Sequence, residues 1–153
     1  MFKFLLITAL MVPAILAQTP VRQCPNGAGV PQSVNVNDCT GSPCPIVNGQ
    51  RLLAHGIGIT SPVNTNGLEA YITIRLAGLQ IPFPMPDGLE DACSIGTPAG
   101  TCPVSAGQVF NYDLDMEGQY LPLSGVTVLI EVGLLADDGS HVTCLQFDAL
   151  ITD

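Results

Sequence analysis

Leu68-Glu69-Ala70-Tyr71-Ile72-Thr73-Ile74-Arg75-Leu76 alternates apolar and polar side chains from end to end. Successive side chains leave a strand on opposite sides, so a period of two marks a strand with one buried face. The same alternation returns three times downstream. Phe110, Tyr112, Leu114 and Met116 are separated by Asn111, Asp113 and Asp115, and Val126, Val128, Ile130, Val132 and Leu134 form the next set. Leu145, Phe147, Ala149 and Ile151 interleave with Gln146, Asp148 and Leu150. Two weaker strands are expected at Ser33 to Asn37 and Leu52 to Thr60. Asn48-Gly49, Asn66-Gly67, Asp87-Gly88 and Asp138-Gly139 punctuate the series with dipeptides that accept positive φ. No helical stripe of useful length and no internal repeat interrupts it. Strands with a single apolar face have to pack face to face, so the chain is expected to be all-β. The architecture predicted is an immunoglobulin-like sandwich of about seven strands in two sheets.

Two segments break the pattern in informative ways. In Leu52 to Thr60 one face carries Leu53, His55, Ile57 and Ile59, and the other Leu52, Ala54, Gly56 and Gly58. Glycine inside a strand marks either a bulge or a place where space is left for a ligand, and both readings stand here. Further on, Gln80-Ile81-Pro82-Phe83-Pro84-Met85-Pro86 is apolar, yet its alternating prolines have no N–H to give a ladder. That stretch belongs at an edge or in a loop near the surface. With Cys93 and Cys102-Pro103 beside it, it has the makings of the mouth of an apolar cavity between the sheets.

The amino terminus places the chain in the secretory route. Lys3 precedes an apolar run from Phe4 to Ala17 that is interrupted by Pro13 and ends in small residues, the form of a signal peptide cleaved after Ala17. The run is shorter than the ~20 residues a membrane-spanning helix needs. Residues 1–17 are therefore assigned as a signal peptide and 18–153 as one soluble, secreted domain, expected to be monomeric.

All six cysteines, at 24, 39, 44, 93, 102 and 144, follow the cleavage site. In an oxidising compartment they form a disulfide framework, and their spacing does not suit a structural zinc site. Six cysteines allow 15 pairings, among which arithmetic alone does not choose. Proximity favours Cys39 with Cys44 and Cys93 with Cys102, leaving Cys24 for Cys144.

The chain carries 13 acidic residues against 4 Lys plus Arg, a formal charge of −9. Beyond the signal peptide the cations are Arg22, Arg51 and Arg75, with no lysine. Such a surface repels phosphate backbones and anionic headgroups, which disfavours nucleic-acid binding and strong electrostatic docking to acidic membranes. No Asn-x-Ser/Thr sequon is present. For hydrolysis the candidates are His55 and His141, but no Gly-x-Ser-x-Gly elbow accompanies them. Asp113, Asp115 and Glu117 share a strand face without the loop grammar of a calcium site. No enzyme activity, catalytic residue, metal or other cofactor is expected.

Taken in order, several elements resemble the ML-domain lipid-recognition family, which includes soluble Niemann-Pick type C cholesterol-transfer proteins and secreted arthropod relatives such as mite allergens. They are Cys24, then Val34-Asn35-Val36 before Cys39, and Pro43-Cys44. Ile81 to Pro86, Cys93, Cys102-Pro103, and Val128 to Leu134 with Asp137-Asp138 before Cys144 complete the set. The likeness covers essentially the whole mature chain. It implies a sandwich with an apolar tunnel holding a sterol, fatty acid or similar lipid, and the pairings Cys24–Cys144, Cys39–Cys44 and Cys93–Cys102. By the same resemblance Phe83 guards the entrance, with Tyr120 and Leu123 the nearest matches to two further pocket residues.

The ligand-binding set expected is therefore Pro82, Phe83 and Met85 of the loop, Tyr120 and Leu123, and the inward strand positions Ile72, Ile74, Tyr112, Val128, Ile130 and Phe147. No charged residue falls on the inward phase of the clear strands, so a neutral ligand is favoured over an ionised one, whose burial without a partner is costly. The missing lysines and sequons favour an extracellular carrier over a lysosomal one. The competing class is a secreted immune or adhesion module that binds a protein or microbial lipid through exposed apolar loops.

Overall fold

A computed structural model describes residues 17–153. The expected signal peptide lies outside the described residues except for Ala17. Nine strands form, and no helix occurs among the described residues. They are β1 (Arg22–Gln23), β2 (Ser33–Val36), β3 (Cys44–Val47), β4 (Leu52–Thr60), β5 (Leu68–Leu76), β6 (Leu79–Ile81), β7 (Val109–Met116), β8 (Val126–Ala136) and β9 (His141–Thr152). Six were legible from alternation. The further three, β1, β3 and β6, are two to four residues long and owe their conformation to the strand they join.

The strands make two sheets. One runs β1-β9-β8-β5-β6, with β3 added in parallel to β9 beyond the end of β1, and the other runs β2-β4-β7. In β5 the alternation decides the packing: Leu68, Ala70, Ile72 and Ile74 are buried, while Glu69, Tyr71, Thr73 and Arg75 face away. In β7 the buried set is Phe110, Tyr112, Leu114 and Met116. The two apolar faces meet and form the core. β9 is buried on both faces, because Cys24 is bonded to Cys144 and the backbone N–H of Cys144 donates to the Gly29 carbonyl at 3.1 Å, which lays the N-terminal segment over its outer side.

Strand β4 reconciles the two readings of its glycines. Its pairing with β7 runs in step from Leu52↔Met116 to Gly56↔Tyr112, then slips and resumes at Ile59↔Phe110. Gly58, with φ +71°, is the bulge, and a β-carbon there would lie 2.6 Å from Cδ of Gln32. The slip turns Ile59 inward and leaves Ile57 exposed, so Leu52, Ala54, Gly56 and Ile59 share the inner face.

The sheet edge beside β5 ends as the prolines dictate. β6 supplies three ladder positions, Leu79 to Ile81, and pairing stops at Pro82. Pro82 and Pro84 are exposed, and Phe83 and Met85, which alternate with them, turn toward the core.

Candidate functional site

Between the sheets lies an apolar chamber. One wall is Val34 and Val36 of β2, Leu52, Ala54, Gly56 and Ile59 of β4, and Tyr112, Leu114 and Met116 of β7. The other is Ile72 and Ile74 of β5, Ile130, Val132 and Leu134 of β8, and Leu145 and Phe147 of β9. Phe83 closes one flank, and Leu121, from the connection between β7 and β8, closes part of one end. The free space is narrow, ≈ 90 Å³.

No Asp, Glu, Lys or Arg contributes to the lining. Its polar members are the amides Asn48, Gln50 and Gln119, with Thr143 and His55. Gln50 and Gln119 are exposed and border the end at which Asn48 stands. The charged groups of the three-stranded sheet lie on its solvent side, where Asp115 pairs with Arg51 and the Asp113 carboxylate lies 2.8 Å from His55 Nδ1, which donates in the tautomer that carries its proton there. Burial pushes the Tyr112 phenol up to about 12, so it faces the interior as a neutral hydroxyl-bearing ring. Glu131 sits on the far side of its sheet, accepting from Gln146 Nε2 at 2.8 Å and from the Tyr71 hydroxyl at 3.3 Å.

Of the residues singled out from the sequence, Ile72, Ile74, Phe83, Tyr112, Ile130 and Phe147 come together on the chamber wall. Val128 is buried in the core beside it, and Met85 and Leu123 pack against that core without lining the free space. Pro82 is exposed. Tyr120 is 81 % exposed and lies outside the chamber, over Gly49, while its neighbour Leu121 turns inward. The connection from Glu117 to Gly125 has no strand period to set its phase, so the inward residue was not legible there. Leu52, Ala54, Ile59 and the β2 valines were also missed as lining residues. The β4 set was obscured by the bulge, although the alternation Val34, Val36 was visible.

The six cysteines form Cys24–Cys144, Cys39–Cys44 and Cys93–Cys102, the pairing favoured by proximity. The one grouping of metal-ligand type among the described residues is Cys24, Glu131 and Cys144, and its two sulfurs are spent on a disulfide. His141 Nδ1 lies 3.2 Å from the Tyr71 hydroxyl on the outer face, apart from the chamber.

Fold and chamber together define a class: two-sheet β-sandwiches that keep an uncharged hollow between their sheets. The ML-domain family profile matches residues 18–151, and the chain belongs to that family. NPC intracellular cholesterol transporter 2 of the pig, Sus scrofa, is 31% identical over 150 residues, covering 97% of this chain and 94% of that protein. Its bovine counterpart, from Bos taurus, is 26% identical over 145 residues, covering 92% and 90%. Among solved structures, a Niemann-Pick type C2 protein from Japanese carpenter ant matches with a TM-score of 0.72 at 17% identity, over 88% of this chain and all of that one (100%). Chicken MD-1 complexed with lipid IVa matches at 0.54 and 13% identity, over 84% and 85%. At such identities the structural likeness speaks for the fold.

Proposed function

We propose that this protein is a secreted carrier that holds an uncharged lipid, a sterol or a similar hydrophobic molecule, between its two sheets. The single observation that supports it most is the chamber itself, walled by aliphatic and aromatic side chains and free of charged ones. Burying a few hundred Å² of apolar ligand surface at ~25 cal/mol/Å² contributes on the order of 10 kcal/mol. Association costs roughly 4 to 15 kcal/mol, so useful affinity needs a well-enclosed ligand more than a charged contact. The names of the relatives, a cholesterol transporter and a protein complexed with lipid IVa, agree with this direction. Three disulfides suit an oxidising compartment, and removal of residues 1–17 would leave a chain that starts at Gln18, one residue before the buried Thr19.

The test is direct. Protein purified natively from a eukaryotic secretion host is extracted with organic solvent, and the extract is analysed by mass spectrometry alongside titration with a fluorescent sterol and a fluorescent fatty acid. Co-purified neutral lipid and saturable sterol uptake support the carrier. A protein that yields no lipid and takes up neither probe would favour the second reading, recognition of a partner through exposed apolar side chains. Leu79 and Tyr120, 74 % and 81 % exposed, are the residues that would serve it.

A further inference from the structure

The narrow free space sets a mechanical requirement. Small-molecule sites occupy about 300–1,000 Å³, so a lipid-sized guest has to part the walls of this chamber. Most of the wall is strand, tied by ladder hydrogen bonds into one sheet or the other, so a local opening belongs in the connections that cross from sheet to sheet. The segment that carries Phe83 is tied down from Glu90 onward by three constraints: the Ala70 N–H donating to the Glu90 carbonyl at 2.8 Å, the Ala92 N–H donating to the Leu68 carbonyl at 2.9 Å, and the Cys93–Cys102 disulfide. The connection between β7 and β8 is held differently.

From Gln119 to Gly125 this connection has no ladder, and its hydrogen bonds to the body of the protein are few. Gly49 N–H donates to the Gln119 carbonyl at 3.2 Å, and Gly125 N–H donates to the Ile151 carbonyl at 2.7 Å. Between those two points the side chain of Asn48 makes both ties. Its Oδ1 accepts from the Leu121 N–H at 2.9 Å, and its Nδ2 donates to the Leu123 carbonyl at 2.9 Å. Asn48 is itself anchored, its N–H donating to the Thr152 carbonyl at 2.7 Å. The Asn48-Gly49 turn also seats Tyr120: a β-carbon on Gly49 would stand 2.5 Å from the Tyr120 hydroxyl. One amide thus grips the strap on either side of Pro122, which has no N–H to offer, and holds Leu121 against the chamber.

We propose that Asn48 is a latch: its side chain positions the 119–125 strap over one end of the chamber, and release of its two hydrogen bonds lets the uncharged lipid enter and leave. This rests on the carrier reading above. Asn48 is a positioning residue, acting through Leu121 and the strap. A carboxylate in its place keeps the acceptor for Leu121 but turns its second oxygen toward the Leu123 carbonyl, so the isosteric Asn48→Asp replaces one hydrogen bond by a repulsion with little change in volume.

The experiment uses the full secreted chain with dehydroergosterol as probe, loaded from and released to phosphatidylcholine vesicles in a stopped-flow instrument. Hydrogen exchange over residues 117–125 is measured in parallel, and near-UV circular dichroism confirms the fold of each variant. Asn48→Ala is expected to speed both loading and release by roughly five- to tenfold, the worth of about one net hydrogen bond, with faster exchange confined to the strap. Asn48→Asp is expected to move both measurements in the same direction, and it carries the test if the alanine variant fails to fold. Faster strap exchange with unchanged probe kinetics would overturn the latch, as would faster release without faster loading, the mark of a lost wall contact. If the unaltered protein takes up no probe, the carrier reading fails and the latch with it. Uptake with equal rates in all three proteins removes the latch alone.

Discussion

Tyr71 of β5 lies across Gly133, its register partner on β8, with Cε1 2.5 Å from where a β-carbon on Gly133 would stand. The ring covers a residue that has no side chain to pack, and its hydroxyl reaches Glu131 and His141 beyond it. Gly133→Ala is expected to displace the ring and lower stability by about 1–3 kcal/mol, an overpacking cost. Urea unfolding checks it. A midpoint within error of the unaltered protein would mean that the Tyr71 ring moves aside freely.

Phe83→Ala tests whether the proline-flanked segment guards the chamber. Phe83 is half-buried and lines the free space from a stretch outside any strand. Its loss is expected to speed release of a bound fluorescent sterol by about tenfold, equivalent to about 1.4 kcal/mol, with a smaller fractional loss of unfolding free energy than a truncation of Ile74 or Ile130. Matching losses of retention and melting temperature would identify Phe83 as an ordinary core residue.

The three disulfides are unequal in the chain they close. Cys24–Cys144 spans 120 residues, against 9 for Cys93–Cys102 and 5 for Cys39–Cys44. By loop-closure entropy the removals cost about 5, about 3 and about 2 kcal/mol. Replacing both cysteines of each pair by serine should therefore lower the melting temperature most for the 24/144 pair. That pair also holds the N-terminal segment over β9. Three similar melting temperatures would show that the denatured chain keeps its ends together without the bond.

Acid should weaken the fold. The Arg51 guanidinium hydrogen-bonded to Asp115, and the Arg22 guanidinium likewise bonded to Asp148, hold those carboxyls below their usual range. The Ser94 and Ser140 hydroxyls act in the same direction on Asp91 and Asp138. Carboxylates with depressed values in the folded state contribute stability above the unfolded value of 3.8, and it is lost as pH falls through the folded values. The urea midpoint is expected to decline below about pH 4, and less steeply in Arg51→Gln with Arg22→Gln. The groups are exposed, so the slope is shallow. An identical decline in the double variant would place the acid sensitivity elsewhere.

What the sequence made legible is what strict alternation can encode. Leu68 to Leu76 and Phe110 to Met116 announce which side chains face inward, and the walls built from Ile72, Ile74 and Tyr112 follow. At Gly58 the period is interrupted, and whether Ile57 or Ile59 turns inward depends on the register with β7, a long-range pairing. β1 and β3 exist because β9 offers them an edge; Cys44 to Val47 shows no alternation of its own. The strap has neither period nor ladder. Leu121 takes the inward position, rather than Tyr120 or Leu123, through the two bonds to Asn48, more than 70 residues earlier in the chain.

The halt of pairing at Pro82 has a consequence for handling and for life in a crowded fluid. A lone sheet border with a full row of free N–H groups recruits strands from other molecules. Here the border offers three residues, and the next positions with outward-facing prolines have nothing to donate. Strand addition from this side is thus cut short after Ile81, and the longer open border of the molecule is β7 of the other sheet, Val109 to Met116.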